Sequence, residues 1–99
     1  MDAKILLHAY ANAAARYNEA QLAVFRELEA AHPSTGFDAL HQVSSRAMEL
    51  HVSALDFARR IRLESIAYEK AEASLIAKFP EFPQEVCRGA MSAAHTRAR

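Results

Sequence analysis

The stretch FDALHQVSSRAMELHVSALDFARRIRLESIAYEKAEASLIAKF, from Phe37 to Phe79, holds neither glycine nor proline and decides the fold class. Apolar or small residues recur in it at Leu40, Val43, Ala47, Leu50, Ala54, Phe57, Ile61, Tyr68, Ala71 and Leu75. Steps of this size put them on one face of an α-helix. Glu64 occupies the one position that breaks the run. Read as one unbroken helix, the stretch is about 63 Å long. A flanking stripe of Met48, Val52, Leu55, Leu63, Ile66 and Ala73 widens the apolar face beyond what a single antiparallel neighbour covers.

Working outward, residues 3–31 also lack glycine and proline, and Leu6, Tyr10, Ala13, Tyr17, Ala20, Val24, Leu28 and Ala31 keep helical spacing. This predicts a first helix over about 3–31, its small residues allowing close antiparallel approach. His32-Pro33-Ser34-Thr35-Gly36 separates the two: Pro33 disfavours helical backbone at His32, and Thr35 with Asp38 has capping-box spacing. Beyond Phe79, Pro80-Glu81-Phe82-Pro83 ends the long helix, and Phe79 and Phe82 are expected to anchor that corner. Pro83 suits the first turn of a third helix over about 83–94, with Val86, Ala90, Met91 and Ala94 inward and a frayed basic tail at 95–99. The predicted fold is all-α and a single domain, 1–99: a long antiparallel helical hairpin plus a short C-terminal helix. The broad face of helix 37–79 predicts a homodimer with a four-helix-bundle-like core.

Composition narrows the function. The chain has 99 residues, twelve Lys and Arg against twelve Asp and Glu, and zero formal net charge, so nothing in the balance calls for nucleic acid or an anionic membrane. Cys87 is the lone cysteine, which excludes an internal disulfide and a multi-thiolate zinc site and makes a reducing, cytoplasmic setting the simplest reading. His8 cuts short the apolar run Ile5-Leu6-Leu7, which speaks against a secretory leader, and no apolar stretch approaches the roughly 20 residues of a membrane span. Two glycines cannot build a phosphate-cradling loop, and no nucleophile-base signature is present. The chain is therefore expected not to be an enzyme and to need no cofactor.

Three clusters carry the candidate sites. Glu29 and His32, then Asp38 and His41, each have i, i+3 spacing on either side of the turn, so the four could converge on zinc or iron at the hairpin tip. The blander reading is that Asp38 caps its helix. Arg59, Arg60 and Arg62, with Arg88, Arg97 and Arg99, form the alternative nucleic-acid face, although Arg60 is placed to pair with Glu64 and no aromatics are arranged for stacking. Met48, Val52, Leu55, Arg59, Arg62, Leu63 and Ile66 form an apolar patch rimmed by arginine, suited first to a dimer seam and then to a partner protein. His51 and His8 read as partly buried structural histidines, and Cys87 as a packed side chain.

The turn Ala30-Ala31-His32-Pro33-Ser34 between two helices, with the ending Ala73-Ser74-Leu75-Ile76-Ala77-Lys78-Phe79, resembles the helical-hairpin needle subunits of type III secretion systems. Gly36 stands where those proteins carry the second proline of the turn. Tyr68-x-x-x-Glu72 is similar to the tyrosine motif of the Trp-x-Gly class of secreted four-helix dimers, but this chain has no tryptophan. No site residue is carried over from either. Elimination leaves a non-enzymatic protein-binding module, of adaptor, chaperone or inhibitor type, acting as a homodimer.

Overall fold

The computed structural model describes residues 2–98. Among them the chain forms α1 (Ala3–Ala15), α2 (Gln21–Ala31), α3 (Phe37–Glu64), α4 (Tyr68–Lys78) and α5 (Gln84–Ala98), with no strand. The all-helical expectation holds. By backbone contacts the residues fall into two compact units, one ending at Glu49 and one beginning at Leu50, so α3 contributes residues to both.

In the N-terminal unit, Asp2 opens α1 by accepting a bond on Oδ1 from the Lys4 N–H at 2.9 Å. The expected single helix over 3–31 is interrupted between Ala15 and Gln21. No glycine or proline causes this; polar side chains do. The Arg16 guanidinium bonds both carboxylate oxygens of Glu19 at 2.8 Å and reaches Glu27 on α2. Gln21 donates from Nε2 to the carbonyls of Arg16, Tyr17 and Glu19 at 3.3, 3.0 and 3.1 Å, tying the start of α2 to the turn that precedes it. The break resets the helical phase. Tyr17 and Ala20, expected inward, are exposed, and the buried set becomes Ile5, Leu6, Ala9 and Ala13 on α1 with Val24 and Leu28 on α2. Gly36, at φ +93°, turns the chain into α3 in a conformation that side chains rarely adopt. Leu40, Val43 and Ala47 are buried in the same unit.

In the C-terminal unit, the expected continuous helix over 37–79 is also interrupted, after Glu64. Ser65 takes a left-handed φ of 57°, closing α3, and the Lys70 and Ala71 N–H groups then bond the Ala67 carbonyl at 3.1 Å to start α4. Backbone near Ser44 and Ser45 stays helical. Leu50, Ala54 and Ala58 of α3 are buried, while Phe57 and Ile61, expected on the central stripe, are half-buried. Helices α4 and α5 pack together. Phe79 and Phe82 hold the corner between them, both buried, their rings edge-on at 6.3 Å. Val86, Cys87, Ala90, Met91 and Ala94 complete the inward face of α5. The Pro83 carbonyl accepts from Val86 and Cys87 at the start of α5. Helix α5 continues to Ala98 instead of fraying after 94, with Thr96 donating to the Ser92 carbonyl at 3.0 Å. Among the described residues no helix is long and apolar enough to cross a membrane.

Candidate functional site

The α2–α3 turn was the expected place for a metal, but the side chains there make other contacts. The His32 ring meets His8 of α1, Nε2 to Nδ1 at 2.9 Å, so one ring donates and the other accepts. His41 stacks on Phe37 at 6.0 Å and meets Phe25 edge-on at 6.0 Å, while Phe25 and Phe37 are edge-on at 5.3 Å. Glu29 is half-buried and Asp38 exposed. Among the described residues no three His, Cys, Asp or Glu side chains stand close enough to share an ion. Glu29, His32, Asp38 and His41 are thus not brought together as one ligand set.

The aromatic trio Phe25, Phe37 and His41 instead borders a cleft of about 490 Å³ in the N-terminal unit. Ala9, Asn12 and Ala13 of α1 form one wall, and Val24, Phe25 and Leu28 of α2 another. From α3 come Phe37, His41, Ser44, Ser45 and Met48. The small residues of α1 leave the space, since an alanine opposite a phenylalanine does not fill the gap between helices. Leu22 and Phe37 also line the cleft, yet they are 62% and 59% exposed, which places bulky apolar groups in contact with water. Asn12 Nδ2 is buried and has no hydrogen-bond partner. A size of a few hundred Å³, apolar walls and a few polar groups are the usual make-up of a small-molecule site.

Comparison with family models, with curated proteins and with solved structures gives no match to this chain. The reading therefore rests on geometry alone.

The expected apolar patch is divided. Met48 lines the cleft of the N-terminal unit. In the C-terminal unit, Val52 and Leu63 are 45% and 67% exposed on α3, Arg59 and Arg62 are exposed, and Leu55 and Ile66 are half-buried. Between Val52 and Leu63, Arg59 bonds Asp56 at 3.4 Å. The arginines of the alternative nucleic-acid face are largely engaged by neighbours: Arg60 bonds Glu64 at 3.3 Å and lies over the Phe57 ring, and Arg88 reaches Glu72 at 3.8 Å. Arg99 lies outside the described residues.

Elsewhere in the C-terminal unit, burial and the charge of Arg97 lower the pKa of His51, which is buried. Burial, with the negative charge of Glu81 nearby, raises the Cys87 thiol, whose Sγ lies 4.0 Å from the Phe79 carbonyl. Such a thiol is a poor nucleophile. Tyr68 is pushed up by burial and by Glu72, with its ring edge-on to His95.

The sequence reading had missed the cleft. Its one local signal was Asn12, an amide set among the alanines from Ala11 to Ala15.

Proposed function

We propose that this chain is a non-enzymatic protein-binding module that works as a homodimer, two copies joining through α3 into a helical core. The observation that carries the reading is the exposed face of α3 in the C-terminal unit, where Val52 and Leu63 remain in water with Asp56 and Arg59 between them. At about 100° per residue, these four side chains fall within roughly 60° of arc.

The order of residues along this face is self-complementary. If a second α3 packs antiparallel about a two-fold axis at the level of Phe57 and Ala58, Val52 faces Leu63 and Asp56 faces Arg59, each twice. The apolar pairs supply burial at the ends and the ion pairs fix register at the centre. Arg62, at the rim, gives the assembled surface the arginine-bordered composition that favours a further protein partner. Nucleic-acid binding has less support because Arg59, Arg60 and Arg88 already lie beside carboxylates.

Light scattering over a concentration series tests the reading. The native chain should have the mass of a dimer, and Arg59→Asp, which sets carboxylate against carboxylate, should weaken association by roughly tenfold or more. The double exchange Asp56→Arg with Arg59→Asp should restore it. A native chain that stays monomeric throughout, or a double exchange no better than the single one, overturns the proposal.

A further inference from the structure

We infer that His8 of α1 and His32, at the end of α2, bind a tetragonal divalent metal ion between them, Cu²⁺ in first place and Ni²⁺ after it. The inference is independent of the dimer, since both rings belong to the N-terminal unit. It starts from a distance: His8 Nδ1 and His32 Nε2 stand 2.9 Å apart, brought together by two helices from positions 24 residues apart in sequence. Two nitrogens bound at a right angle about 2.0 Å from one ion are separated by about 2.8 Å, whereas tetrahedral ligands at that length stand about 3.3 Å apart. The observed spacing fits the right-angled set, the geometry of Cu²⁺ and Ni²⁺ sites, better than the tetrahedral set of Zn²⁺.

As it stands, the pair shares one proton. The ring centroids are 5.1 Å apart and the planes cross at 66°, so the two rings point nearly at each other. To take up an ion, the donor ring moves its proton to its other nitrogen through water, and each ring tilts until the two lone pairs meet. Both imidazoles are then neutral ligands, and no proton is lost in the exchange. Both rings are half-buried, so packing restricts their rotamers while part of each stays open to water. Among the described residues no third His, Cys, Asp or Glu stands close enough to join them, so water fills the remaining positions and the affinity is moderate. Lys4 lies one turn before His8 and Glu29 one turn before His32, so the nearest charges on the two helices offset each other.

Titration of the full chain with Cu²⁺, followed by calorimetry and electron paramagnetic resonance, tests the site. The first equivalent should bind with two imidazole nitrogens in its spectrum, and Zn²⁺ should bind at least about tenfold more weakly. His8→Gln and His32→Gln should each weaken Cu²⁺ binding by roughly tenfold or more and leave a one-nitrogen spectrum. His95→Gln, in the other unit, should change neither. Nuclear magnetic resonance of the native chain guards against variants that fail to fold: substoichiometric Cu²⁺ should broaden the ring signals of His8 and His32 before those of His41, His51 and His95. No binding of the first equivalent, a one-nitrogen spectrum in the native chain, Zn²⁺ as tight as Cu²⁺, or broadening that begins at another histidine would each overturn the assignment and leave the pair as a hydrogen bond between helices.

Discussion

The two units use the same material, short alanine-rich helices, to different ends. In the C-terminal unit large side chains close the interior: Phe79, Leu75, Met91 and Cys87 are all fully buried, and Phe82 nearly so. In the N-terminal unit Ala9 and Ala13 face Phe25 and Leu28 across a cleft, and Leu22 and Phe37 remain exposed. Side-chain size contributes to the difference between a packed core and an open cleft, because interiors are close-packed and a missing methyl group is not replaced by its neighbours.

The sharpest way to break this comparison is to truncate one ring in each unit. Phe79→Ala should cost about 3–5 kcal/mol in urea unfolding, because it opens a cavity in a filled core. Phe25→Ala, on the wall of an existing cleft and only half-buried, should cost ~1–2 kcal/mol. Equal losses would mean that the two interiors are alike. Hydrogen exchange offers a check on the native chain, with α4 and α5 expected to exchange more slowly than α1 and α2.

Smaller effects are expected at the two left-handed backbone positions. Gly36→Ala, at φ +93° with open space around the new methyl group, should destabilise by about 1–2 kcal/mol through backbone strain alone. Ser65→Gly should act in the opposite direction, gaining up to about 1 kcal/mol by relieving the left-handed serine that ends α3. Thermal unfolding of the two variants reads both signs.

The last expected difference is one of pH. His51 is held neutral in the folded C-terminal unit by burial and by Arg97, while an unfolded histidine keeps its ordinary value of 6.5. The unfolded chain therefore binds the proton first. Stability should be full above about 6.5 and decline as pH falls from there toward the lowered folded value. His51→Gln should flatten that slope in chemical unfolding, and an unchanged slope would assign the acid sensitivity elsewhere.

Much of this architecture was legible in the residues. Helical spacing located Leu40, Val43, Ala47, Leu50 and Ala54 in the interior, and Pro80 to Pro83 marked the corner that Phe79 and Phe82 anchor. The two helix breaks were not legible, because neither uses glycine or proline. Ser65 takes a conformation its residue type seldom adopts, and only Glu64, out of place in the apolar run, hinted at it. The break before Gln21 depends on side-chain amide and guanidinium bonds that propensity does not register. The metal reading of His32 and His41 failed for a related reason, while His8 and His51 are the partly buried histidines expected. Spacing within one stretch suggested that His32 and His41 act together, whereas the partner of His32 is His8, distant in sequence, and His41 lies among aromatic rings.

The clasp that Gln21 makes on the carbonyls of Arg16, Tyr17 and Glu19 has a mutational consequence. A turn written in proline is held by the backbone itself, since that residue disrupts a helix interior by about 3 kcal/mol. A turn written in one glutamine and one arginine can be lost by substitutions at those two positions, after which nothing local opposes a straight rod from Ala3 to Ala31. Substitution of Gln21 and Arg16 is therefore expected to lengthen α1 toward α2 and to reshape the hollow beside Asn12, a change that circular dichroism would read as added helix.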